Sequence, residues 1–158
     1  MTKQIKDWAF GPFEKRRTPV LMPTVQSGFF CPITEKDVKW EETNVYNPAA
    51  IIKDGLLHII YRADDTPKEY LDQFGNQMVT CRLGHAVSED GIHFKRTPTP
   101  VLYPDNDEYK EFEWFGGCQD LHIIEGEDGR YYMNYTAWSG KYTEGKYEPG
   151  DLVGDWED

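Results

Sequence analysis

Two stretches decide the fold. The first is Asn47-Pro48-Ala49-Ala50-Ile51-Ile52-Lys53-Asp54-Gly55-Leu56-Leu57-His58-Ile59-Ile60-Tyr61-Arg62-Ala63. The second is Gln119-Asp120-Leu121-His122-Ile123-Ile124-Glu125-Gly126-Glu127-Asp128-Gly129-Arg130-Tyr131-Tyr132-Met133-Asn134-Tyr135-Thr136-Ala137. Each is a short apolar run, an Asp-Gly pair, and a second apolar or aromatic run ending Tyr-x-Ala. Asp-Gly between two such runs signals a β-hairpin, because the turn needs positive φ. Gly55 and Gly129 are the matching glycines, so one hairpin occurs twice.

A second pair of segments repeats as well. Phe13-Glu14-Lys15-Arg16-Arg17-Thr18-Pro19-Val20-Leu21-Met22-Pro23 aligns with Phe94-Lys95-Arg96-Thr97-Pro98-Thr99-Pro100-Val101-Leu102-Tyr103-Pro104, with Phe, Pro-Val-Leu and Pro in register. Proline cannot donate to a ladder, so each of these segments is expected to be the outermost strand of a unit. One complete unit then reads as strands over 48–53, 56–63, 79–88 and 94–102, with Ser88-Glu89-Asp90-Gly91 turning the third into the fourth. Four antiparallel strands in a repeat of this size make a propeller blade.

The expected architecture is all-β, a partial β-propeller formed as a single incomplete domain. Residues 13–23 are an outer strand of a closing blade, 47–104 the first blade, 119–138 the start of a second, and 139–158 an irregular tail rich in glycine and acid. Propellers have roughly 4–8 blades, and these 158 residues supply about one and a half. Open inner faces and ladder edges invite pairing, so copies of the chain, as a homo-oligomer, could complete one another's propeller.

Seventeen Lys and Arg stand against 28 Asp and Glu, a net charge of −11 that repels phosphate backbones and argues against nucleic-acid binding. No apolar run reaches the length of a membrane span, so no membrane partner is expected. The start, Met1 to Lys6, has no apolar stretch behind it, so no signal peptide is expected. Cys31, Cys81 and Cys118 are odd in number and far apart, which suits reduced thiols in the cytoplasm. Neither the cysteines nor His58, His85, His93 and His122 show metal-ligand spacing.

In a propeller the first strand of each blade lines the central channel, and ligands bind where those strands begin. By the repeat, Asn47-Pro48 and Gln119-Asp120 occupy that mouth. Asp120 follows Gly116-Gly117-Cys118, small residues that let a backbone or ligand approach closely. Flanked by Trp114 and Phe115, its carboxyl is expected to be partly desolvated, which suits a general acid; it could equally cap a turn at a strand start. Arg62 could clamp a hydroxyl or carboxylate with its fork, or form a rim salt bridge. His122, two positions past Asp120, is expected on the same face of its strand, whereas His58 sits within an apolar run and suits the core. The long 64–78 connection holds Tyr70 and Phe74, which could cover a site or meet a neighbouring subunit.

These residues resemble glycoside hydrolase family 130, the β-mannoside phosphorylases and some β-mannosidases. The resemblance rests on Asn44-Val45-Tyr46-Asn47-Pro48-Ala49-Ala50, Tyr61-Arg62-Ala63-x-Asp65, Ser88-Glu89-Asp90-Gly91-Ile92-His93-Phe94, Pro100-Val101-Leu102-Tyr103-Pro104 and Gly116-Gly117-Cys118-Gln119-Asp120. It implies a five-bladed propeller, with Asp120 as the catalytic acid of an inverting phosphorolysis of β-mannosides to mannose 1-phosphate. It also implies that Asn47, Arg62 and Asp65 contact the mannose beside the cleaved bond. The implied partners are a β-mannoside oligosaccharide and inorganic phosphate as co-substrate, with no cofactor.

The family reads Gly-Gly-x-Glu-Asp-Pro-Arg at the acid. Here Gln119, Leu121 and His122 replace the Glu, Pro and Arg. The family's phosphate-binding cations lie in later blades, so the chain by itself is expected to turn over little or not at all. The same fold could instead hydrolyse β-mannosides with water, or the chain could be an inactive piece that binds sugar or serves assembly.

Overall fold

The structure, a computed structural model, describes residues 14–69 and 77–140. Phe13, Tyr70, Phe74 and the tail from 141 onward lie outside the described residues. Among the described residues strands dominate and the single helix is one turn long, so the chain is all-β. In order, the elements are β1 (Gly28–Cys31), β2 (Lys36–Lys39), β3 (Asn44–Lys53), β4 (Leu56–Asp64), β5 (Cys81–Ser88), β6 (Lys95–Arg96), α1 (Lys110–Glu113), β7 (Gly117–Glu125) and β8 (Tyr131–Trp138). No helix among the described residues is long and apolar enough to cross a membrane.

The repeated hairpins form as expected. β3 and β4 are antiparallel and joined at Lys53↔Leu56, with Asp54 at φ 53° and Gly55 at φ 76° in the turn. Positive φ at both central residues matches the twist of the flanking strands. β7 and β8 pair the same way from Glu125↔Tyr131, around a longer loop whose Gly129 has φ 73°. β4 continues antiparallel into β5, and β6 pairs with β5. The two halves join through one parallel pair, Cys81↔Gly117, giving the sheet order β3-β4-β5-β7-β8.

β4 and β5 are covered on both faces, which explains their nearly continuous apolar sequence. One face carries Ile59, Tyr61, Ala63 and Ala86 against Phe29, Cys31 and Trp40 from the β1–β2 hairpin and its exit. The other carries Ile60 and Leu83 against Cys118 and Leu121 of β7. His58 is half-buried on that second face, its Nδ1 2.9 Å from His85 Nε2 and the two rings stacked.

Two expected strands are altered. The span expected over 94–102 keeps ladder pairing only at Lys95–Arg96, with an isolated bridge from Leu102 to Leu83. Residues 14–27 form no strand, although Leu21 packs against the core and Thr24 N donates to Glu41 O at 2.9 Å. The reason is the neighbour: Val101 and Leu102 lie beside β5, whereas Val20 and Leu21 have no ladder partner among the described residues. The β1–β2 hairpin was not legible in the sequence, since its turn, Pro32-Ile33-Thr34-Glu35, lacks glycine and uses Glu35 at φ 53°.

Gly117 has φ 100°, and a Cβ there would overlap the Cys81 carbonyl oxygen, so the junction of the two halves tolerates no side chain. Gly55 has positive φ but open space around it. Gly55→Ala should therefore cost only the backbone term, about 1 kcal/mol, and Gly117→Ala clearly more, at least about 2 kcal/mol. Urea unfolding of both variants checks the ranking; equal costs would contradict it.

Burial, and then the neighbouring His58, pull His85 below its ordinary value of 6.5. Below 6.5 the unfolded chain takes up a proton that the folded chain resists, so stability falls as pH drops through that value. The unfolding temperature should decrease from pH 7.5 to 5.5, and His85→Gln should flatten that decrease. An unchanged slope in the variant would assign the effect elsewhere.

Candidate functional site

Each hairpin carries a bulge at the same place. In β3 the register shifts between Tyr46 and Ala49, and in β7 between Gln119 and His122. Each bulge holds one non-glycine residue in the left-handed region: Asn47 at φ 45° and Asp120 at φ 45°. Asn and Asp tolerate this conformation best among L-residues, because their short polar side chains can bond locally. Bulges of this kind turn a side chain out of the strand's alternation. Here they turn two toward each other: Asn47 Nδ2 donates to Asp120 Oδ1 at 2.8 Å.

Arg62, opposite Tyr46 on β4, approaches the pair from the side. Its Nη1 donates to Gln119 Oε1 at 2.8 Å and lies 3.4 Å from Asp120 Oδ1, while its Nε lies 3.4 Å from Asp64 Oδ1. The Tyr46 ring centre sits 4.7 Å from the guanidinium carbon, a cation–π contact that helps to fix the Arg62 side chain. Asp64 is buried and accepts from Asn44 Nδ2 at 3.0 Å, Tyr46 Oη at 2.8 Å and Cys81 Sγ at 3.1 Å. Burial and the Asp64 carboxylate push the Tyr46 phenol and the Cys81 thiol well above their ordinary values, so both remain donors to it.

The pair opens onto a cavity of about 350 Å³ lined by Asn47, Pro48, Ala49, Asp120, Leu121 and His122. The structure thus brings together Asn47, Arg62, Asp120 and His122. His122 is exposed and lines the same cavity as Asp120. The expected apolar enclosure of Asp120 is absent: its side chain is 43% exposed, and an amide and a guanidinium meet it rather than aromatic rings. Trp114 and Phe115 instead pack edge to face on each other.

Asp65 is placed differently from the other candidates. It is buried, accepts from Thr80 N at 2.8 Å, and pairs with Arg82 Nη1 at 3.0 Å and Lys68 Nζ at 2.9 Å. Tyr46 and Asp64 emerge as site residues that sequence reasoning did not single out, and Gln119, placed beside Asp120 by the repeat, accepts a hydrogen bond from Arg62. Tyr46 and Asp64 lie within the quoted motifs next to Asn47 and Asp65, and only the fold shows that they hold Arg62.

Residues 12–151 match the family model for glycoside hydrolase family 130, described as β-1,4-mannooligosaccharide phosphorylase. The chain belongs to that family. It is 36% identical over 126 residues to a 1,2-β-oligomannan phosphorylase of Thermoanaerobacter sp. (strain X514), covering 80% of this chain and 36% of that one. Among solved structures, one is 45% identical with a TM-score of 0.76, covering 85% of this chain and 37% of the other. It accompanies the finding that the family of mannoside phosphorylases contains glycoside hydrolases targeting β-1,2 mannosidic linkages in Candida mannan. A glycosyl hydrolase from Bacteroides ovatus is 43% identical with a TM-score of 0.76, covering 86% and 37%. The chain therefore spans little more than a third of the length of these relatives.

Removing Asp65 leaves the buried Arg82 guanidinium without its carboxylate, whereas Asp120 is open to water. Asp65→Ala should cost about 3–5 kcal/mol of stability and Asp120→Ala less than about 1 kcal/mol. Chemical unfolding of the two variants side by side tests this; comparable losses would remove the distinction between a structural and a site carboxylate.

Proposed function

We propose that the chain carries the acid-bearing part of a five-bladed β-propeller enzyme that cleaves β-mannosides by inverting phosphorolysis. In this reading the described residues belong to one incomplete propeller domain, with β3–β6 as a blade and β7–β8 as the start of the next. Asp120 is the catalytic acid. Asn47 and Arg62 hold it and the mannose, and His122 lines the sugar's cavity. Asp65 acts on the mannose only through the architecture it braces. The buried free thiols Cys31, Cys81 and Cys118 fit a reducing, cytoplasmic setting.

The observation that carries the reading is the paired bulge, which presents one open carboxylate, held by an amide and a guanidinium, to a sugar-sized cavity. In the reaction a phosphate oxygen bonds to the anomeric carbon as the glycosidic bond breaks. The departing oxygen takes a proton that originates on Asp120 and passes through a mannose hydroxyl. The products are mannose 1-phosphate and a sugar shortened by one unit. Inverting hydrolysis needs a second carboxylate to activate water, whereas phosphate arrives anionic and nucleophilic. Among the described residues, the lining of this cavity carries one carboxylate. The β-1,2 linkage is favoured, since the similar phosphorylase is one of 1,2-β-oligomannan and the 45%-identical structure is associated with hydrolases of β-1,2 mannosidic linkages.

Hydrolysis is the second reading, favoured by higher identity to the structure associated with hydrolases than to the phosphorylase. Incubating the propeller enzyme that contains these residues with β-1,2-mannobiose, with and without inorganic phosphate, separates the two. Phosphorolysis gives mannose 1-phosphate only when phosphate is present; equal release of free mannose in its absence would establish hydrolysis. In either case Asp120→Asn should lower the rate at least about 100-fold, and a variant at full rate would end the assignment of Asp120.

A further inference from the structure

A second cleft lies on the other side of Arg62. It encloses about 360 Å³, and its lining includes Asn44, Tyr46, Arg62, Asp64, Gln77 and Trp138. Arg62 is the wall between the two cavities, since its Nη1 reaches Asp120, which lines the first, while the residue itself lines the second. A molecule held at Asp120 and longer than one sugar ring would have this cleft beside it.

Trp138 is fixed in that wall. It ends β8 and pairs with Gly117. At Gly116 a Cβ would stand 2.5 Å from Trp138 Cε3, so the indole rests on backbone that only glycine leaves free. One side of the ring system is thus seated on the chain, and the residue stays half-buried and lines the cleft. Its indole N–H makes no hydrogen bond among the described residues.

The charges of the cleft are already matched. Arg62 lies against Asp64 and Asp120, and Asp64 is held by four donors. Among the described residues, the further polar side chains that line the cleft are neutral: Thr43, Asn44, whose Nδ2 is used on Asp64, and Gln77. An anion would need a cation that is not already shared by two carboxylates. An aromatic wall with neutral amides around it fits a ring that is apolar on its face and hydroxylated at its rim.

We propose that this cleft is a second saccharide subsite, in which Trp138 stacks on a pyranose ring adjoining the mannose held at Asp120. The proposal rests on the mannoside reading above and adds to it a residue that sets preference for chain length. Trp138 then contributes to binding of a disaccharide and nothing to binding of mannose alone.

The test uses the chain with ¹⁵N-labelled indoles, the Trp138 resonance being assigned by loss in Trp138→Phe. His122 ring resonances report the Asp120 cavity. Mannose should move His122 and leave Trp138 in place, β-1,2-mannobiose should move both, and inorganic phosphate should not move Trp138. Trp138→Ala should weaken mannobiose about tenfold with mannose unchanged, and Trp138→Phe, which keeps a stacking ring, should retain most of the affinity. If His122 responds to both sugars while Trp138 responds to neither, or if Trp138→Ala binds mannobiose normally, the subsite is refuted and the mannoside reading stands. If Trp138 responds to phosphate, the cleft is an anion site and the proposal is wrong. If neither residue responds to either sugar, the mannoside reading fails and the subsite fails with it.

Discussion

The hydrogen bond from Asn47 to Asp120 spans two hairpins that are distant in sequence, and the site depends on it. It exists because β3 and β7 each insert one extra residue at the same step of the ladder. Without the bulges, strict alternation would send the two side chains along their own sheets rather than toward each other. The left-handed conformation at both residues costs energy that Asn and Asp keep small. Two copies of one structural unit thus supply different groups, an amide and a carboxylate, from one backbone device.

That arrangement requires rigid strands behind it. β4 and β5 provide them by being buried on both faces, so neither can shift without disturbing two apolar clusters. Charged groups finish the ends of these strands. Asp64 at the end of β4 anchors Tyr46 and Asn44, and Asp65 beside it anchors Arg82 and Lys68. The adjacent carboxylates have opposite tasks because consecutive residues of an extended chain face opposite ways. One supports Arg62 on the site face, and the other neutralises a guanidinium on the face toward Phe29. On that same face Glu41, fully buried, accepts from Tyr61 Oη at 3.0 Å and Arg96 Nη1 at 2.6 Å, tying β6 to the core.

The inner hairpins were legible in the sequence because their signals are local: apolar runs, an Asp-Gly turn, and their repetition. The outer segments were not, because a proline-rich strand is defined by what lies beside it. Lys95–Arg96 and Leu102 meet β5, and residues 14–27 meet no ladder. Of the candidate site, Asn47 and Asp120 were picked out by position in the repeat, Arg62 by its place near the end of the second strand, and His122 by strand alternation from Asp120. Their mutual contact was not deducible, since a bulge inside a strand leaves no turn residue to mark it; Asn and Asp at the two equivalent positions are the trace it does leave. Asp65 entered the candidate site through the family resemblance rather than through the repeat, and the structure pairs its buried carboxylate with Arg82.

Gln119 shows how a neutral neighbour shapes the electrostatics around Asp120. Arg62 lies 3.4 Å from each of Asp64 and Asp120, and its shorter bond, 2.8 Å, goes to the Gln119 carbonyl oxygen. An amide orients a guanidinium by hydrogen bonding without competing for its charge, whereas a third carboxylate at that distance would divide the same cation among three anions. The field of Arg62 therefore remains directed at Asp64, which is buried and fixed, and at Asp120, which is open. Gln119 thus couples the position of Arg62 to the open Asp120 carboxylate while adding no charge of its own.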